Sequence, residues 1–532
     1  MQLKRVLMLA AENGAMKGAK VGGMADVIRD LPPALISNQV VADVVMPGYA
    51  HVLSQVNAEE LQRLSVPFAG NDEEVVLYRL PHPEVAQANI YLFGHELFHS
   101  ESDQIYSDSN DHRPFADDAN KFALFCLAAA MAVEQQFFGH IDVLHLHDWH
   151  TGLLAMLRRF DKRFTRLANI PCVHSIHNLA LQGIRPINQD SSSLESWYPE
   201  LTAKLSHEDY RAINDPRYPH CINPMRMGIV LSDKVHLVSP GYVDEVLKPS
   251  SPENGFFGGE GMEHELAYKA ETGDLVGILN GCNYPDKPVK TVAQPHQLLL
   301  QQSQQTLLTW MSHQQQIQSV DYIASQRVLA LQQQAQQTID FLLTSVGRLT
   351  DQKVLILRQT LPSGQSVLAA ILDKLQQHYA NGVFVMIGSG DAHIADEFRR
   401  VAGQYSNFIF LNGYDEQVGN SLYRHGDLFL MPSSFEPCGI SQLLAMREGQ
   451  PCLVHGVGGL KNTVEDNASG FVFYGDNLEL QAQALLSRLD DALVLSKKAT
   501  AWKKIKASAK SQRFEWQHSA QQYIQQLYQF SN

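Results

Sequence analysis

The chain has 532 residues, more than a single hydrophobic core usually holds, so we expect at least two large domains. Hydrophobic residues make up 45% of it and aromatic residues 9%, which is ordinary for a globular protein, and no run of about 18 apolar residues predicts a transmembrane helix. The formal net charge of -14 argues against a broad surface for nucleic acid or anionic membrane, but it is compatible with a local basic pocket for a small anion.

The cysteines and the N-terminal residues indicate the cellular compartment of the protein. Six cysteines are scattered without any CxxC pair, which favours reduced thiols in a cytosolic protein over a disulfide framework. The N-terminal run 4–12 superficially resembles a signal peptide, but it is too short, and Glu12 interrupts its apolar residues. We therefore expect a first β-strand there and a cytoplasmic protein.

Most of the chain alternates short apolar runs with longer amphipathic segments. Such alternation is typical of parallel sheets wrapped by helices, and it predicts two α/β domains, at 1–284 and 341–500. The predicted strands of the first domain cover 6–11, 40–46, 75–80, 90–93, 143–147, 172–176 and 234–238. Those of the second domain cover 341–346, 383–387, 408–411, 428–431 and 452–454.

Two further segments are predicted to be helical. Residues 285–340 are rich in glutamine and poor in charge, and their apolar residues keep a helical spacing, so helices packed on one side are expected, with disorder as the alternative. Residues 501–532 predict a C-terminal helix that packs back towards the N-terminal domain. The apolar residues available for packing are Leu300, Leu307, Leu308 and Met311 in the first segment and Trp516, Tyr523, Ile524 and Leu527 in the second.

A glycine pair follows the first predicted strand. Gly22 and Gly23 open a helix there, so their amides and the nearby Lys20 could face an anion. The pattern is neither the GxGxxG fingerprint nor a P-loop, and a tight turn explains it equally well.

Polar residues end two strands of the first predicted sheet. His145 and His147 fall on one strand face, whereas Asp148 and His150 lie in the turn beyond, and this spacing argues against a metal site. His177 ends the next strand in the same way. The two strand ends together favour a shared sugar-binding cleft, with buried paired histidines as the structural alternative.

The second predicted domain also carries charged groups at strand ends. Arg348 offers a planar fork for phosphate oxygens and Lys353 adds a compact positive charge, so a diphosphate pocket is favoured over a surface turn with salt bridges. Glu436 stands where an apolar strand meets a helix, with Gly439 after it. A carboxylate at this place is a candidate for chemistry, and a helix-capping carboxylate is the alternative.

Together these segments resemble the bacterial glycogen synthases and plant starch synthases, which are retaining glucosyltransferases. The resemblance implies a GT-B fold, an α/β architecture of two Rossmann-like domains facing each other across a deep interdomain cleft. The motifs that carry it are Lys20-Val-Gly-Gly-Met-Ala-Asp26, His145-Leu-His-Asp-Trp-His150, His177-Asn-Leu-Ala180, Gln182-Gly183, Ile278-Leu-Asn-Gly281, Gly347-Arg-Leu-Thr-Asp-Gln-Lys353, Gly413-Tyr-Asp-Glu416, Pro432-Ser-Ser-Phe-Glu-Pro-Cys-Gly439 and Gly458-Gly-Leu460.

The resemblance also implies roles for single residues. Tyr106 falls in segment 105–108, where the family has Pro-Tyr-x-Asp in a cleft loop. The implied catalytic residues are Glu436, Asp148, His177, Arg348 and Lys353. The implied donor-binding residues are Lys20, Gly23, Asn178, Asn280, Arg348, Lys353, Cys438, Gly439, Gly459 and Leu460, and the implied acceptor- or sugar-binding residues are Tyr106 and Asp26.

The implied reaction transfers glucose from ADP-glucose to the non-reducing end of an α-1,4-glucan with retention of configuration. Cations at the departing diphosphate reduce the need for a metal, so no metal or cofactor is expected. Glu436 is expected to orient and stabilise the glucosyl group, because no carboxylate pair of the hydrolase type is evident. The expected partners are the nucleotide sugar and the glucan, without nucleic acid or membrane, and the oligomeric state stays open.

The chain departs from the family pattern near the predicted hinge. After Asn280-Gly281 the family usually has Ile-Asp, whereas this chain has Cys282 and Asn283. Two alternatives therefore remain: a GT-B transferase with another donor, such as UDP-glucose, or another acceptor, and a non-catalytic glucan-binding paralogue. Leu444 stands at the second position of the Glu-x7-Glu motif of larger relatives, which favours the glycogen synthase branch.

Overall fold

A computed structural model describes residues 3–99, 104–107, 113–285, 292–333 and 339–530 of the chain. The chain divides into two compact units. The N-terminal unit comprises Met1–Ser250, Gly258–Asn283 and Glu515–Asn532, and the C-terminal unit comprises Ser251–Phe257 and Tyr284–Phe514. Among the described residues, no helix has the length and hydropathy that crossing a membrane requires.

These units differ from the predicted domain boundaries in three places. Segment 251–257 belongs to the C-terminal unit, although it lies within the predicted N-terminal domain 1–284. The glutamine-rich segment 285–340 is part of the C-terminal unit instead of a separate element. The predicted C-terminal helix 501–532 is divided between the two units, with the boundary between Phe514 and Glu515.

A nine-stranded sheet forms the centre of the N-terminal unit. Its order is β11-β10-β7-β6-β1-β2-β5-β4-β3, with β3, β4 and β5 paired antiparallel and the remaining pairs parallel. A separate two-stranded antiparallel sheet pairs β8 with β9. The strands are β1 Lys4–Leu9, β2 Val40–Pro47, β3 Glu59–Phe68, β4 Asn71–Pro81, β5 Asn89–Gly94, β6 Val143–His147, β7 Cys172–Ile176, β8 Arg185–Pro186, β9 Cys221–Ile222, β10 Lys234–Leu237 and β11 Leu275–Gly277.

Helices complete this unit, and the C-terminal end of the chain joins them. The fully buried Trp516 and Tyr523 anchor that end, together with Ile524 and Leu527, as the sequence predicted. It consists of a short α-helix at Trp516–Gln522 and a π-helix at Tyr523–Tyr528. The preceding helices are α1 Gly23–Ile36, α2 Ala50–Leu53, α3 Pro114–Glu134, α4 Gly152–Phe160, α5 Thr165–Ala168, α6 Leu194–Trp197, α7 Pro199–Thr202, α8 His207–Ile213, α9 Pro224–Leu231, α10 Pro240–Val246 and α11 Glu263–Glu271, with 3-10 turns at Glu96–Phe98 and Trp149–Thr151.

The C-terminal unit contains a six-stranded, fully parallel sheet of order β14-β13-β12-β15-β16-β17. Its strands are β12 Phe341–Val346, β13 Gly382–Ile387, β14 Phe408–Leu411, β15 Leu428–Met431, β16 Cys452–His455 and β17 Gly470–Phe473. Its helices are α12 Pro295–Ser312, α13 Ser319–Gln333, α14 Asp351–Arg358, α15 Val367–His378, α16 Ala392–Gln404, α17 Glu416–His425, α18 Ser441–Glu448, α19 Leu460–Thr463, α20 Leu478–Ser496 and α21 Ala499–Ser511, with a 3-10 turn at Pro252–Asn254.

Both faces of this sheet are buried, which explains the continuous apolar strands in the sequence. Phe384 and Met386 of β13 enter one core, which also contains side chains of α15 and α20. Val383, Val385 and Ile387 point to the opposite face and enter a second core, built with α12, α13 and α17. The side chains of a strand alternate between its faces, so one strand serves both cores.

The glutamine-rich segment forms helices where the structure describes it. Leu300 and Leu307 are buried in the second core, as their spacing predicted. Leu308 was predicted to pack with them, but it is 49% exposed, because its position on α12 points away from the sheet. Residues 286–291 and 334–338 of this segment, Asp108 of the predicted loop 105–108, and the end of the predicted helix at 531–532 lie outside the described residues.

Candidate active site

The strand order fixes where a ligand should bind in each unit. In the N-terminal unit the order reverses between β1 and β6, and in the C-terminal unit it reverses between β12 and β15. Ligands of open α/β sheets bind beyond the carboxyl ends of the strands at such a reversal. The residues that follow these four strands include Lys20, Asp148, Arg348 and Glu436, so the candidates taken from the sequence lie where the topology favours binding.

Glu12 organises the loop between β1 and α1. Its Oε2 accepts hydrogen bonds from the amides of Val21 at 2.8 Å and Gly22 at 2.6 Å, and its Oε1 accepts one from the Tyr106 hydroxyl at 2.7 Å. Glu12 was not predicted as a functional residue. Two of the loop amides therefore bind a carboxylate of the protein itself, and Gly23 begins helix α1 directly after them.

Lys20 and Asp26 are paired with each other. The ammonium group lies 2.6 Å from Asp26 Oδ1, and the Arg29 guanidinium contacts the same carboxylate at 2.9 Å. The Lys20 side chain is still 44% exposed, so it can reach an anion while Asp26 orients it. The sugar-binding role of Asp26 stays a prediction, and the ion pairs of its carboxylate in the described part of the chain are with Lys20 and Arg29.

We expect Glu12→Ala to destabilise the N-terminal unit by about 2–4 kcal/mol, because it leaves three donors without their charged acceptor. Tyr106→Phe removes only one of these hydrogen bonds and should cost about 1 kcal/mol. Denaturant unfolding of both variants measures the difference. Equal losses would contradict the assignment of Glu12 as the acceptor that holds the whole loop.

Asp148 sits in a strained backbone conformation at the end of β6. Its φ of 53° and ψ of -172° lie in a region that residues other than glycine seldom adopt. Its Oδ1 accepts hydrogen bonds from the amides of His177 at 2.6 Å and Asn178 at 3.3 Å. The carboxylate thus links the end of β6 to the end of β7. The strained turn orients the Asp148 side chain towards the amides of His177 and Asn178.

Burial raises the pKa of Asp148 to about 7, and the negative charge of Glu12 adds to the shift. The folded protein therefore keeps a proton that an unfolded aspartate releases near pH 4, and stability falls as the pH rises from about 4 to about 7. Asp148→Asn removes this loss. We expect the difference in melting temperature, Asp148→Asn minus the natural protein, to be larger at pH 8 than at pH 5.

The exposed Asp72 provides the control for this experiment. Asp72→Asn should show the same difference from the natural protein at both pH values. If the Asp148→Asn difference is also independent of pH, Asp148 does not titrate in the folded protein as its burial implies.

The other predicted sugar-contacting residues lie close to Asp148. His177 and Asn178 are partly buried at the end of β7, and the Asn178 Oδ1 accepts a hydrogen bond from the Ala180 amide at 3.0 Å. The Tyr106 hydroxyl donates to Glu12, which follows β1, and the Tyr106 ring lies 5.5 Å from that of His150, which follows β6. Asn280 is buried after β11, and its Oδ1 has no hydrogen-bond partner in the described part of the chain.

In the C-terminal unit Glu436 forms an ion pair with Lys353. The carboxylate also accepts a hydrogen bond from the Ser433 hydroxyl at 3.1 Å. Both side chains are largely buried, with 7% of Glu436 and 19% of Lys353 exposed. A carboxylate held in this way is suited to orienting a cation and stabilising positive charge.

Arg348 differs from Lys353, although both follow β12. It is exposed, and no ion pair or side-chain hydrogen bond involves it within the ranges that the structure describes. An exposed guanidinium at the reversal of strand order is free to form paired hydrogen bonds with phosphate oxygens.

The backbone after Glu436 is held in place by its own unit. Gly439 has a φ of 78°, and Gln442 Nε2 donates to the carbonyl oxygens of Cys438 at 3.1 Å and Gly439 at 3.0 Å. The amide of Gly459 donates to the Glu436 carbonyl at 3.1 Å, and the amide of Leu460 donates to the Val457 carbonyl at 3.0 Å. Gly459 and Leu460 were predicted to bind the donor. In the structure the Gly459 amide holds the backbone at Glu436, whereas the Leu460 amide closes a turn with Val457.

The metal alternative finds no geometric support. In the residues covered by the structure, no group of three or more histidine, cysteine, aspartate or glutamate side chains is placed to hold a metal ion. His145 and His147 are fully buried, as the structural alternative predicted for them. All six cysteines lie in the described part of the chain and form no disulfide there, and five of them are buried.

Comparisons with known proteins identify the family of the chain. The family described as "Starch synthase catalytic domain" matches residues 5–268, and the family "Glycosyl transferases group 1" matches residues 331–491. The glycogen synthase of Aeromonas salmonicida is 30% identical and covers 99% of this chain and 98% of its own length. The glycogen synthase of Francisella tularensis subsp. novicida is 28% identical, with 96% of each chain covered.

Among solved structures, the fold resembles the catalytic domain of starch synthase IV from Arabidopsis thaliana bound to ADP and acarbose. The TM-score is 0.73 at 23% identity, and 99% of each chain is covered. At this identity the likeness shows the shared fold, whereas the full-length match to the Aeromonas protein shows the family. The chain therefore belongs to the glycogen synthase and starch synthase family, glycosyltransferases with the GT-B fold.

Proposed function

We propose that the protein transfers glucose from ADP-glucose to the non-reducing end of an α-1,4-glucan with retention of configuration. The observation that carries the proposal is the placement of Lys20, Arg348, Lys353 and Glu436 beyond strand ends at the two reversals of strand order. The starch synthase IV structure was obtained with ADP and acarbose, which supports a nucleoside diphosphate and a glucan-like sugar as ligands.

The proposed reaction breaks the bond between the glucosyl C1 and the diphosphate oxygen. Arg348, Lys353 and Lys20 stabilise the negative charge that develops on the leaving group, and this is why no metal or cofactor is proposed. The acceptor hydroxyl attacks C1 from the leaving-group face and passes its proton to the departing phosphate oxygen. The new glycosidic bond then forms on the side that the old bond left, so the configuration is retained.

Glu436 is proposed to stabilise this step without attacking C1. Positive charge develops on the sugar ring as the leaving group departs, and an ionised carboxylate nearby stabilises it. The ion pair with Lys353 and the hydrogen bond from Ser433 hold the Glu436 carboxylate in one orientation. Asp148, His177 and Asn178 are proposed to bind the hydroxyls of the transferred glucose, and Tyr106 the acceptor. The absence of disulfides among the six described cysteines supports a cytoplasmic location.

A donor comparison with purified protein and glycogen tests the proposal. We expect ADP release from ADP-glucose to depend on glycogen and to exceed UDP release from UDP-glucose at equal concentrations. A preference for UDP-glucose would replace the donor but keep the reaction type. The absence of transfer from any nucleotide-linked glucose would overturn the proposal and favour a glucan-binding paralogue.

A further inference from the structure

Two histidines from neighbouring strands contact each other at the candidate sugar site. His147 Nδ1 lies 2.9 Å from His177 Nε2, and the two rings are stacked at 5.2 Å. His147 is fully buried at the end of β6, whereas His177 is only partly buried beyond β7. Burial lowers the pKa of both imidazoles, that of His177 to about 3, so both rings are neutral near pH 7.

A neutral imidazole carries one N–H and one lone pair, so the contact allows two arrangements. In the first, His147 Nδ1–H donates to His177 Nε2. In the second, His177 Nε2–H donates to His147 Nδ1, and the His147 proton then sits on Nε2. That Nε2 is buried and has no partner among the residues that the structure describes.

The second arrangement leaves a buried N–H without an acceptor, which folded proteins seldom contain, whereas the first leaves only an unused lone pair. The first arrangement is therefore favoured. It makes His177 Nε2 an acceptor and places the His177 proton on Nδ1. This Nδ1 has no hydrogen-bond partner in the described ranges and is not enclosed, so it can reach a ligand.

A chain of hydrogen bonds holds the ring of His145, which lies against the ring of His147. His236 Nε2–H donates to the Ile278 carbonyl at 3.3 Å, which leaves His236 Nδ1 to accept from the Ser175 hydroxyl at 2.7 Å. Ser175 Oγ then accepts from His145 Nε2 at 2.6 Å, and His145 Nδ1 accepts from the Tyr528 hydroxyl at 2.9 Å. A carbonyl can only accept, so His236 Nδ1 carries no proton. The Ser175 hydroxyl at 2.7 Å is closer to this Nδ1 than the Tyr523 hydroxyl at 3.3 Å, and the Ser175 contact sets the direction of the bonds that follow.

The chain ends on His145, whose ring lies 4.2 Å from that of His147. Its two nitrogens are both engaged, so it offers the His147 Nε2 no hydrogen bond. The π-helix at Tyr523–Tyr528 thereby anchors the ring on which His147 rests, without changing where the His147 proton sits.

We propose that His147 is a positioning residue that fixes the tautomer of His177, with the proton on Nδ1, so that His177 donates a hydrogen bond to an oxygen of the transferred glucose. The identity of this sugar rests on the function proposed above. The tautomer does not, because it follows from the contacts of His147 and His177 alone.

Neutron diffraction from deuterated crystals of the full chain tests the tautomer directly. We expect a deuteron on His177 Nδ1 and on His147 Nδ1 in the natural protein. A deuteron on His177 Nε2 would overturn the inference, even in a fully active enzyme. Conversely, a natural protein that transfers no glucose would overturn the proposed function, while the deuteron position would still be read from the crystal.

Two substitutions of His147 separate the hydrogen bond from the shape of the ring. His147→Phe keeps an aromatic ring but removes the donor, and we expect kcat to fall about 10- to 100-fold while the donor KM changes less. His147→Asn places an amide N–H near the former Nδ1 and should recover most of this loss. Equal activity of the two variants would contradict the inference.

Tyr528→Phe provides the matched control. It removes a hydroxyl from the same buried network, but it leaves the donor of His147 in place. We expect a lower melting temperature and a kcat within about threefold of the natural value, since one neutral hydrogen bond is lost. If Tyr528→Phe lowers kcat as much as His147→Phe does, the network acts through its general packing and the tautomer assignment to His147 fails.

Discussion

We expect Glu436→Gln to lower kcat at least about 100-fold, with a smaller effect on the KM for the donor. The substitution keeps the shape of the side chain but removes the negative charge. The positive charge that develops on the glucosyl ring is then no longer stabilised, and Lys353 loses the partner that orients it. Steady-state assays of nucleotide release with glycogen as acceptor measure this effect.

The neighbouring Glu448 gives a matched control for the loss of a carboxylate. It lies on helix α18 of the same unit and pairs with Arg424 and Arg447, away from the Glu436 carboxylate. Glu448→Gln should therefore leave kcat within about twofold of the natural value, because these contacts stabilise the fold alone. Similar losses in the two variants would show that charge anywhere in this unit matters and that Glu436 has no special role.

A double-substitution cycle separates the two tasks of Glu436. If its only task were to hold Lys353, Glu436→Gln would have little further effect once Lys353→Met is present. We expect part of the loss to persist in the double variant, because the carboxylate also acts on the sugar. No further loss would limit Glu436 to positioning Lys353.

The second large effect is expected at Arg348. Arg348→Ala should lower kcat/KM for the donor about 100-fold, because two charge-assisted hydrogen bonds to the diphosphate are lost. The folded protein should be as stable as before, since Arg348 is exposed and forms no ion pair within the described residues. Activity and melting temperature measured on the same preparation check both parts.

Arg400 provides the control, since it is an arginine of the same unit that pairs with Asp396 on helix α16. Arg400→Ala should leave donor kinetics unchanged. Arg348→Lys should recover only part of the activity, because an ammonium group cannot form the paired hydrogen bonds of a guanidinium. A donor kcat/KM for Arg348→Ala close to the natural value would remove Arg348 from the donor site.

The sequence predicted the strand ends that carry the candidate site. The predicted strands 143–147, 172–176, 341–346 and 428–431 have the bounds that the structure shows. Each apolar run stops where polar residues begin, because a buried parallel strand ends where the chain leaves the core. The places of Asp148, His177, Arg348 and Glu436 follow from these ends.

Strand β3 was not predicted, because its exposed face carries charged and polar residues and hides the pattern. The alternation of the buried Leu64, Val66 and Phe68 along Glu59–Phe68 was the available signal. It marks a strand with one exposed face, which explains why the antiparallel edge of the N-terminal sheet escaped a search for continuous apolar runs.

Contacts between side chains distant in the sequence could not be predicted either. Glu12 interrupted an apolar run, and no spacing rule links it to Tyr106, which follows 94 residues later. The ion pair of Lys353 with Glu436 and the contact of His147 with His177 likewise join separate strand ends. Topology brings these residues to one edge, but only packing decides which atoms meet.

The proposed function is retaining glucosyl transfer that depends on the Glu436 carboxylate. The most direct measurement supplies ADP-glucose labelled in its glucose to the natural protein and to Glu436→Gln, with glycogen as acceptor, and determines the linkage of the incorporated label by NMR. We predict label in α-1,4 linkage at non-reducing ends, with one ADP released per glucose transferred, and at least about 100-fold slower incorporation by the variant. Label in β linkage would exclude retention of configuration, and equal incorporation by the two proteins would exclude a role for the Glu436 carboxylate.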